Sequence, residues 1–232
     1  SGRHHAESIT PLVRDALDRA GLPAQLVDAG IDRVLVGTGP APFTGLRAGL
    51  VSARVLAAVA GVPMYGVCAL DVIARQGLDL LAPDARVYAI ADARRRELYW
   101  GAYVAAGPDD VSLEGRLEVG DVNALLGDMR SAPGLVVAGA PIPAHSADAL
   151  AHVDLGPQVS LDPAVMSRIV ATRLSRGEEG ALNTEPLYLR RPDIHGQPAE
   201  RLLTRRCASP VPPTLSSSPC SRPRYSPKTP GP

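Results

Sequence analysis

"VGTGPAPFTGLRAGL", residues 36–50, leaves an apolar strand and enters an apolar helix through a turn rich in glycine and proline. The strand spans residues 32–37 and the helix residues 45–60, a strand, turn and helix unit of the kind that often holds phosphate. A Walker loop needs GxxxxGK[ST], but Gly39 is followed five residues later by Thr44, and Gly45 by Leu46 and Arg47. A dinucleotide loop needs GxGxxG, and Pro42 stands where the third glycine after Gly37 and Gly39 belongs. Both matches fail. What survives is Thr44 as a helix cap and Arg47 in the first turn as a weak anion-binding candidate. A tight turn before a capped helix is the plainer reading of the same residues.

The helix itself says more. Gly45, Gly49, Ala53, Ala57 and Gly61 recur every four residues, so one stripe carries almost no side chain. Leu46, Leu50, Val51, Val55, Leu56 and Val59 spread over the rest. Such a helix can be approached closely on its small face and buried on another. Either both faces pack inside one domain, or the helix is sandwiched between its own sheet and a partner protein.

Outward from this unit, "HAESITPLVRDALDRAGL" upstream reads as an amphipathic helix with Ile9, Leu12, Val13, Ala16, Leu17 and Ala20 on one face. Downstream come a strand at 63–67 and a helix at 70–76, an alternation that implies parallel pairing. Two parallel strands make too small a sheet. Further strands are therefore expected upstream of Ser1, the start being truncated or misassigned. From residue 86, "RVYAIADARRRELYWGAYVA" reads as an antiparallel hairpin around a charged turn and opens a second subdomain. Helices near 122–129 and 143–151, a buried strand at 135–138 and a helix at 163–174 follow, and "EPLYLRRP" is a last extended segment. From about Gln197 the chain turns to Pro, Ser and Arg, with too little apolar content to pack. Its only lysine, Lys228, lies in this tail, a break in residue usage that suggests a frameshift; a basic, partner-binding tail is the alternative.

Bulk composition excludes some functions. Lys+Arg and Asp+Glu are balanced at 24 each, so no global basic field argues for nucleic acid. Any RNA contact must be local or borrowed from a partner. Cys68, Cys207 and Cys220 form no CxxC pair or metal spacing, and their odd number suits a reducing, cytoplasmic compartment. The longest apolar-rich run, residues 46–67, is broken by Arg47, Ser52 and Arg54, so no membrane span is expected.

"GTGPAPFTGLRAGLVSARVLAAVAGVPMYGVCALDVIA" resembles one family closely: TsaB, the dimerisation subunit of the bacterial tRNA threonylcarbamoyladenosine machinery. "RHHAESITPLVRDALDRAGL" and "DARRRELYWGAY" are similar to that family's flanking segments in the same order, so the resemblance covers residues 3–192. It implies the α/β sugar-kinase/actin-like (ASKHA) fold in two subdomains. These are an incomplete N-terminal one at 1–84 carrying the partner-binding helices, and a C-terminal one at 85–192. The Pro/Ser/Arg tail, 193–232, is expected to be disordered. It also implies assembly with the catalytic paralogue TsaD and the ATPase TsaE, to place threonylcarbamoyl on the adenosine beside the tRNA anticodon. Self-dimerisation through the same helices is the other assembly open to it. Two departures stand out. The family's opening strand and hairpin, with an Asp-Thr-Ser-like turn, are absent, and Ala41-Pro42 replaces Gly-Ser in the loop, removing an N–H donor.

The catalytic paralogue's HxxxH motif places two metal ligands on one side of a helix. Laid on "VCALDVIAR", it puts Ala69 and Ile73 where the histidines belong, and neither binds metal. The histidines at 4, 5, 145, 152 and 195 form no HExxH, His4 and His5 diverge on a helix, and there is no GxSxG elbow. Cys68 ends a buried-type strand, where an inert thiol is expected. No cofactor, metal or catalytic residue is therefore assigned. The expected partner interface is Leu12, Val13, Leu17, Leu46, Gly49, Leu50, Ala53 and Ala57. Arg94, Arg95 and Arg96 are either a solvated hairpin tip or a contact to tRNA or partner. The competing function is an actin-like nucleotide-binding enzyme, ATPase or kinase-like, whose loop and Arg47 hold phosphate.

Overall fold

The computed structural model describes residues 5–190. The tail expected at 193–232, with Cys207, Cys220, His195 and Lys228, lies outside the described residues, as does His4. Two sheets organise the chain. After helix α1 (His5–Arg19), strand β1 (Val34–Gly37), helix α2 (Phe43–Ala60) and strand β2 (Met64–Val67) form a parallel crossover, with Val34 opposite Met64 and Gly37 opposite Val67. Helix α2 stops at Gly61, whose φ of 67° is the left-handed conformation that glycine adopts freely. Its N–H closes the last turn onto Ala57 and Ala58.

Helix α3 (Ala69–Leu78) leads to the second sheet, which contains β3 (Val87–Asp92), β4 (Leu98–Ala105), β5 (Val111–Gly120) and β6 (Leu135–Ala138) in the order β5-β4-β3-β6. The first three run antiparallel, and β6 lies parallel to β3. The apolar run of β3 is continuous because both faces of the strand are covered. Val87 and Ala89 pack with Leu70, Ile73, Ala74 and Leu78 of α3. Tyr88 and Ile90 pack on the other face with Leu125 and Met129 of α4 (Val122–Ser131) and Leu150 of α5 (Ala144–Leu150). The hairpin, the strand at 135–138 and the helices stand where the sequence places them, within a residue or two at most ends. Strand β5 was not anticipated: its alternating Val111, Leu113, Leu117 and Val119 are interrupted by Glu114, Gly115 and Arg116, and Gly115 sits at φ 83°.

Helix α6 (Pro163–Ser175) returns the chain to the first sheet, where Val165, Ile169 and Val170 meet Val67 and Val72. Between α6, α3 and the β4–β5 turn lies a charge network that the sequence did not disclose. Buried Arg173 donates from Nε to Asp110 Oδ1 at 3.0 Å and from Nη2 to Asp71 Oδ2 at 2.9 Å. Arg176 reaches the same Asp110 carboxylate at 3.1 Å, and the Tyr103 hydroxyl donates to Asp71 at 3.0 Å. Buried Arg75 donates to Asp79 and to the carbonyls of Gly107 and Asp110, each at 3.1 Å. Burial works against the Arg173 charge, but the Asp71 and Asp110 carboxylates outweigh it and hold the guanidinium pKa well above its ordinary value.

The last described segment, 183–190, straps across the first sheet. Leu187 N–H donates to the Thr38 carbonyl at 2.8 Å, and a Cβ on Gly66 of β2 would sit 2.2 Å from the Asn183 carbonyl oxygen. Two outcomes follow from this packing. Asp110→Ala removes one of the two carboxylates that hold buried Arg173 and the acceptor of Arg176, and should cost about 1–3 kcal/mol, read as a lower urea midpoint at unchanged m-value. A loss below about 1 kcal/mol would show that the cluster does not hold the helices. Gly66→Ala must displace backbone and should cost roughly 1–3 kcal/mol in the same titration.

Candidate functional site

The opening loop is tied into its own chain. Thr38 N–H donates to the Val67 carbonyl at 2.8 Å, and the Gly39 carbonyl accepts from Ala69 N–H, at the start of α3, at 2.7 Å. Gly39 has φ 95°, and a Cβ there would lie 3.1 Å from both Ala41 N and Leu46 Cδ2. The loop thus serves as a clasp between β1, α2 and α3.

Thr44 does not cap α2. The helix starts a residue or two earlier than its periodicity suggests, at Phe43, so Pro42 is the N-cap, with no side-chain cap, and Thr44 stands exposed inside the first turn. Pro42 has the fixed φ, here −57°, that suits the entry. Arg47 is engaged by aromatic groups: its guanidinium lies 3.8 Å from the Phe43 ring centroid and 5.8 Å from that of Tyr188, and its Nε donates to the Tyr188 hydroxyl at 2.9 Å. Phe43 and Tyr188 stack at 5.2 Å between centroids. Two turns on, Arg54 donates to the Thr184 carbonyl at 3.4 Å, so both arginines grip the 183–190 strap. Tyr188 lies far from α2 in sequence, and no local pattern could have paired them.

The residues expected at a partner interface divide sharply. Leu46, Leu50, Ala53 and Ala57 are buried in the chain, and Leu46, Leu50 and Ala53 pack with Val36 and Tyr188. Leu17 of α1 is buried as well. Within the small-residue stripe, Ala53 seats α2 on its own sheet and Ala57 is buried, whereas Gly45 and Gly61 are exposed. Leu12 is open to solvent, and Val13 and Gly49 are half-buried. The face that α2 turns outward carries Val51, Val55 and Val59, exposed by 58%, 56% and 58%. Leu12, on the neighbouring α1, is exposed by 63%. The signal was present as valines at i, i+4 and i+8, a spacing that puts three branched side chains on one stripe. By length and composition alone α2 is apolar enough to cross a membrane, yet its inner face is committed to β1.

At the start of α3, half-buried Cys68 lies beside Tyr103 and Asp71, and burial pushes its thiol pKa well up. Ala69 follows it, and Ile73 is buried in the core. Neither offers a donor atom toward a metal. No cluster of three or more His, Cys, Asp or Glu side chains suited to a metal ion occurs among the described residues. Arg94, Arg95 and Arg96 are exposed at the β3–β4 tip, away from the Arg173 cluster.

The family model described as TsaD, tRNA N6-adenosine threonylcarbamoyltransferase, matches residues 1–126. An uncharacterized protein of Mycobacterium tuberculosis is 38% identical over 191 residues, covering 82% of this chain and 77% of that one. The tRNA threonylcarbamoyladenosine biosynthesis protein TsaB of Escherichia coli is 41% identical over 101 residues, 44% of this chain and 42% of its own length. Two solved structures from Pseudomonas aeruginosa share the architecture. YeaZ superposes with a TM-score of 0.60 at 24% identity over 80% of this chain and 85% of its own. A second, described as similar to peptidase YEAZ, gives 0.59 at 26% identity over 81% and 85%. The actin-like fold, the loop motif and the matched span agree, and the chain belongs to the TsaD family as a TsaB-like member of it.

Proposed function

We propose that this chain acts in tRNA threonylcarbamoyladenosine biosynthesis as a non-catalytic subunit that docks the catalytic TsaD-like paralogue through the outer face of α1 and α2. The observation that carries the reading is the stripe of Val51, Val55 and Val59 on α2, each more than half exposed, with Leu12 exposed on the adjoining α1. Scattered exposed apolar residues need no explanation, but a contiguous row on one helix is what a protein partner covers. The inner face of α2 is already filled, so the partner meets the valines, with half-buried Gly49 and Val13 at the margin. The residue types support the absence of catalysis by this subunit, since Ala69 and Ile73 hold the two positions where the paralogue's ligands would fall. A TsaE-like ATPase and tRNA join through the complex, in the cytoplasm, and the same face pairs two copies of this chain when the paralogue is absent.

The test is size-exclusion chromatography with light scattering on this protein mixed with the catalytic paralogue. A one-to-one complex is expected. Val55→Asp should abolish it while leaving the melting temperature of the isolated protein unchanged, because Val55 contacts solvent. Gly49→Leu should do the same, since a Cβ at Gly49 meets nothing within 4 Å inside the chain. Two separate peaks from the unsubstituted proteins, together with magnesium-dependent ATP turnover by this chain alone, would replace the scaffold with a nucleotide-binding enzyme.

A further inference from the structure

Arg75 lies in the last turn of α3 and is only 4% exposed, a burial that arginine tolerates when its nitrogens are met. Its Nε donates to Asp79 at 3.1 Å, and its Nη1 donates to the Gly107 and Asp110 carbonyls, each at 3.1 Å. A guanidinium carries five N–H bonds in one plane, and Nη2 holds two of them. Among the described residues Nη2 has no acceptor, yet it is not one of the polar atoms shut away without a partner. It therefore opens onto the space beside the side chain.

That space is a cleft of about 470 Å³, with Arg75 on its lining. Leu78, Leu81, Pro83, Ala105 and Pro108 wall it, between the loop after α3 and the β4–β5 turn. Leu78 belongs to the core, and Leu81 and Ala105 pack against it, so the apolar walls are anchored in the fold. Asp79 holds the guanidinium from one side of the cleft and the Gly107 and Asp110 carbonyls hold it from the other, which fixes the plane of its N–H bonds. Apolar walls around one oriented polar group are the form that small-molecule sites of this size take.

Charge behind the cleft is balanced. Arg75, Arg168, Arg173 and Arg176 form ion pairs with Asp71, Asp79, Asp109 and Asp110. No net field draws a ligand in, so recognition falls to the direction of the Nη2 bonds. A carboxylate accepts such bonds at roughly twice the strength of a neutral carbonyl, whereas an ammonium only donates and would face donors.

We propose that this cleft binds a small carboxylate with an apolar body, its oxygens on Arg75 Nη2 and its body against Leu78, Leu81 and Ala105. None of the lining residues belongs to α1 or α2, so the site is separate from the docking face and stands or falls independently of it.

The test is NMR titration of the isotopically labelled full chain with octanoate, octanamide and octylamine. Octanoate should bind saturably with a Kd of about 1 mM or below, shifting the Arg75 Nε–H and the amides of residues 75–83 and 105–108. Octanamide should bind about tenfold more weakly, and octylamine not at all. Arg75→Met also releases Asp79 and the turn carbonyls, so two other variants decide the matter. Pro83→Glu sets a carboxylate on an exposed part of the wall, and Ala105→Leu fills the cleft. Each should weaken octanoate binding about tenfold or more while the backbone spectrum keeps its native dispersion. Unchanged octanoate affinity in both folded variants would overturn the proposal, as would no saturation by about 10 mM. Equal affinity for acid and amide would overturn the carboxylate class, and preference for octylamine would give the cleft to a cation through Asp79 and Asp109. Shifts confined to Val51, Val55 and Val59 would also overturn it, by showing plain apolar adhesion to the outer face of α2.

Discussion

The Arg173 guanidinium, buried between the Asp71 and Asp110 carboxylates, is the contact on which the arrangement of the chain depends. Asp71 belongs to α3, Asp110 to the β4–β5 turn and Arg173 to α6, so one side chain fixes three elements that are remote in sequence. Buried ion pairs seldom add much net stability, because the desolvation of each charge offsets their attraction. Their effect is directional. A hydrophobic contact between α6 and α3 tolerates sliding by a turn, whereas a guanidinium that must meet two carboxylates at 2.9–3.0 Å tolerates little. With α3 pinned, β2 and the clasp at Gly39 have a fixed base, and α2 is presented at a defined angle.

That presentation determines what α2 can do. The half-exposed stripe of Val51, Val55 and Val59 with Leu12 offers on the order of 4 kcal/mol of hydrophobic gain if fully covered. Association of two proteins costs at least about that much in lost translational and rotational freedom. The stripe alone therefore marks the centre of a contact, and its surroundings must supply the rest. Arg47 and Arg54 border the stripe but are tethered to the strap through Tyr188 and Thr184, so they enter an interface already ordered. Pre-ordering reduces the entropic cost of docking.

Much of this fold was readable from periodicity. The parallel crossover around "VGTGPAPFTGLRAGL" and the hairpin around "DARRREL" both carry local signals, alternation on one side and turn residues on the other. Strand β5 was missed because Gly115 and its charged neighbours interrupt its alternation at a sheet edge, where exposed charge is expected and blurs the pattern. The site was only partly legible, since i+4 spacing marks out stripes on a helix without saying which stripe meets the sheet. Ala53 and Ala57 were expected outside and are inside, because small residues let α2 approach β1 closely, while the bulkier valines face out. The partners of Arg47 and Arg173 lie tens of residues away or more. The turn at Arg94, Arg95 and Arg96 adopts left-handed backbone and had no signal, as the sequence shows arginine where that backbone favours glycine.

The strap also has a consequence for the order in which the protein is made. Its hydrogen bonds to α2 join residues 130 and 141 positions apart, from Arg54 to Thr184 and from Arg47 to Tyr188. Contacts of such long sequence separation form late, since chain entropy must be lost before they contribute. During synthesis, β1, α2 and β2 leave the ribosome long before residues 183–190 exist. Until the strap arrives, Phe43 and the Thr38 carbonyl lack their covers, and an apolar helix stands beside an unfinished sheet. Nascent chains at that stage are the form most exposed to aggregation and most in need of a chaperone.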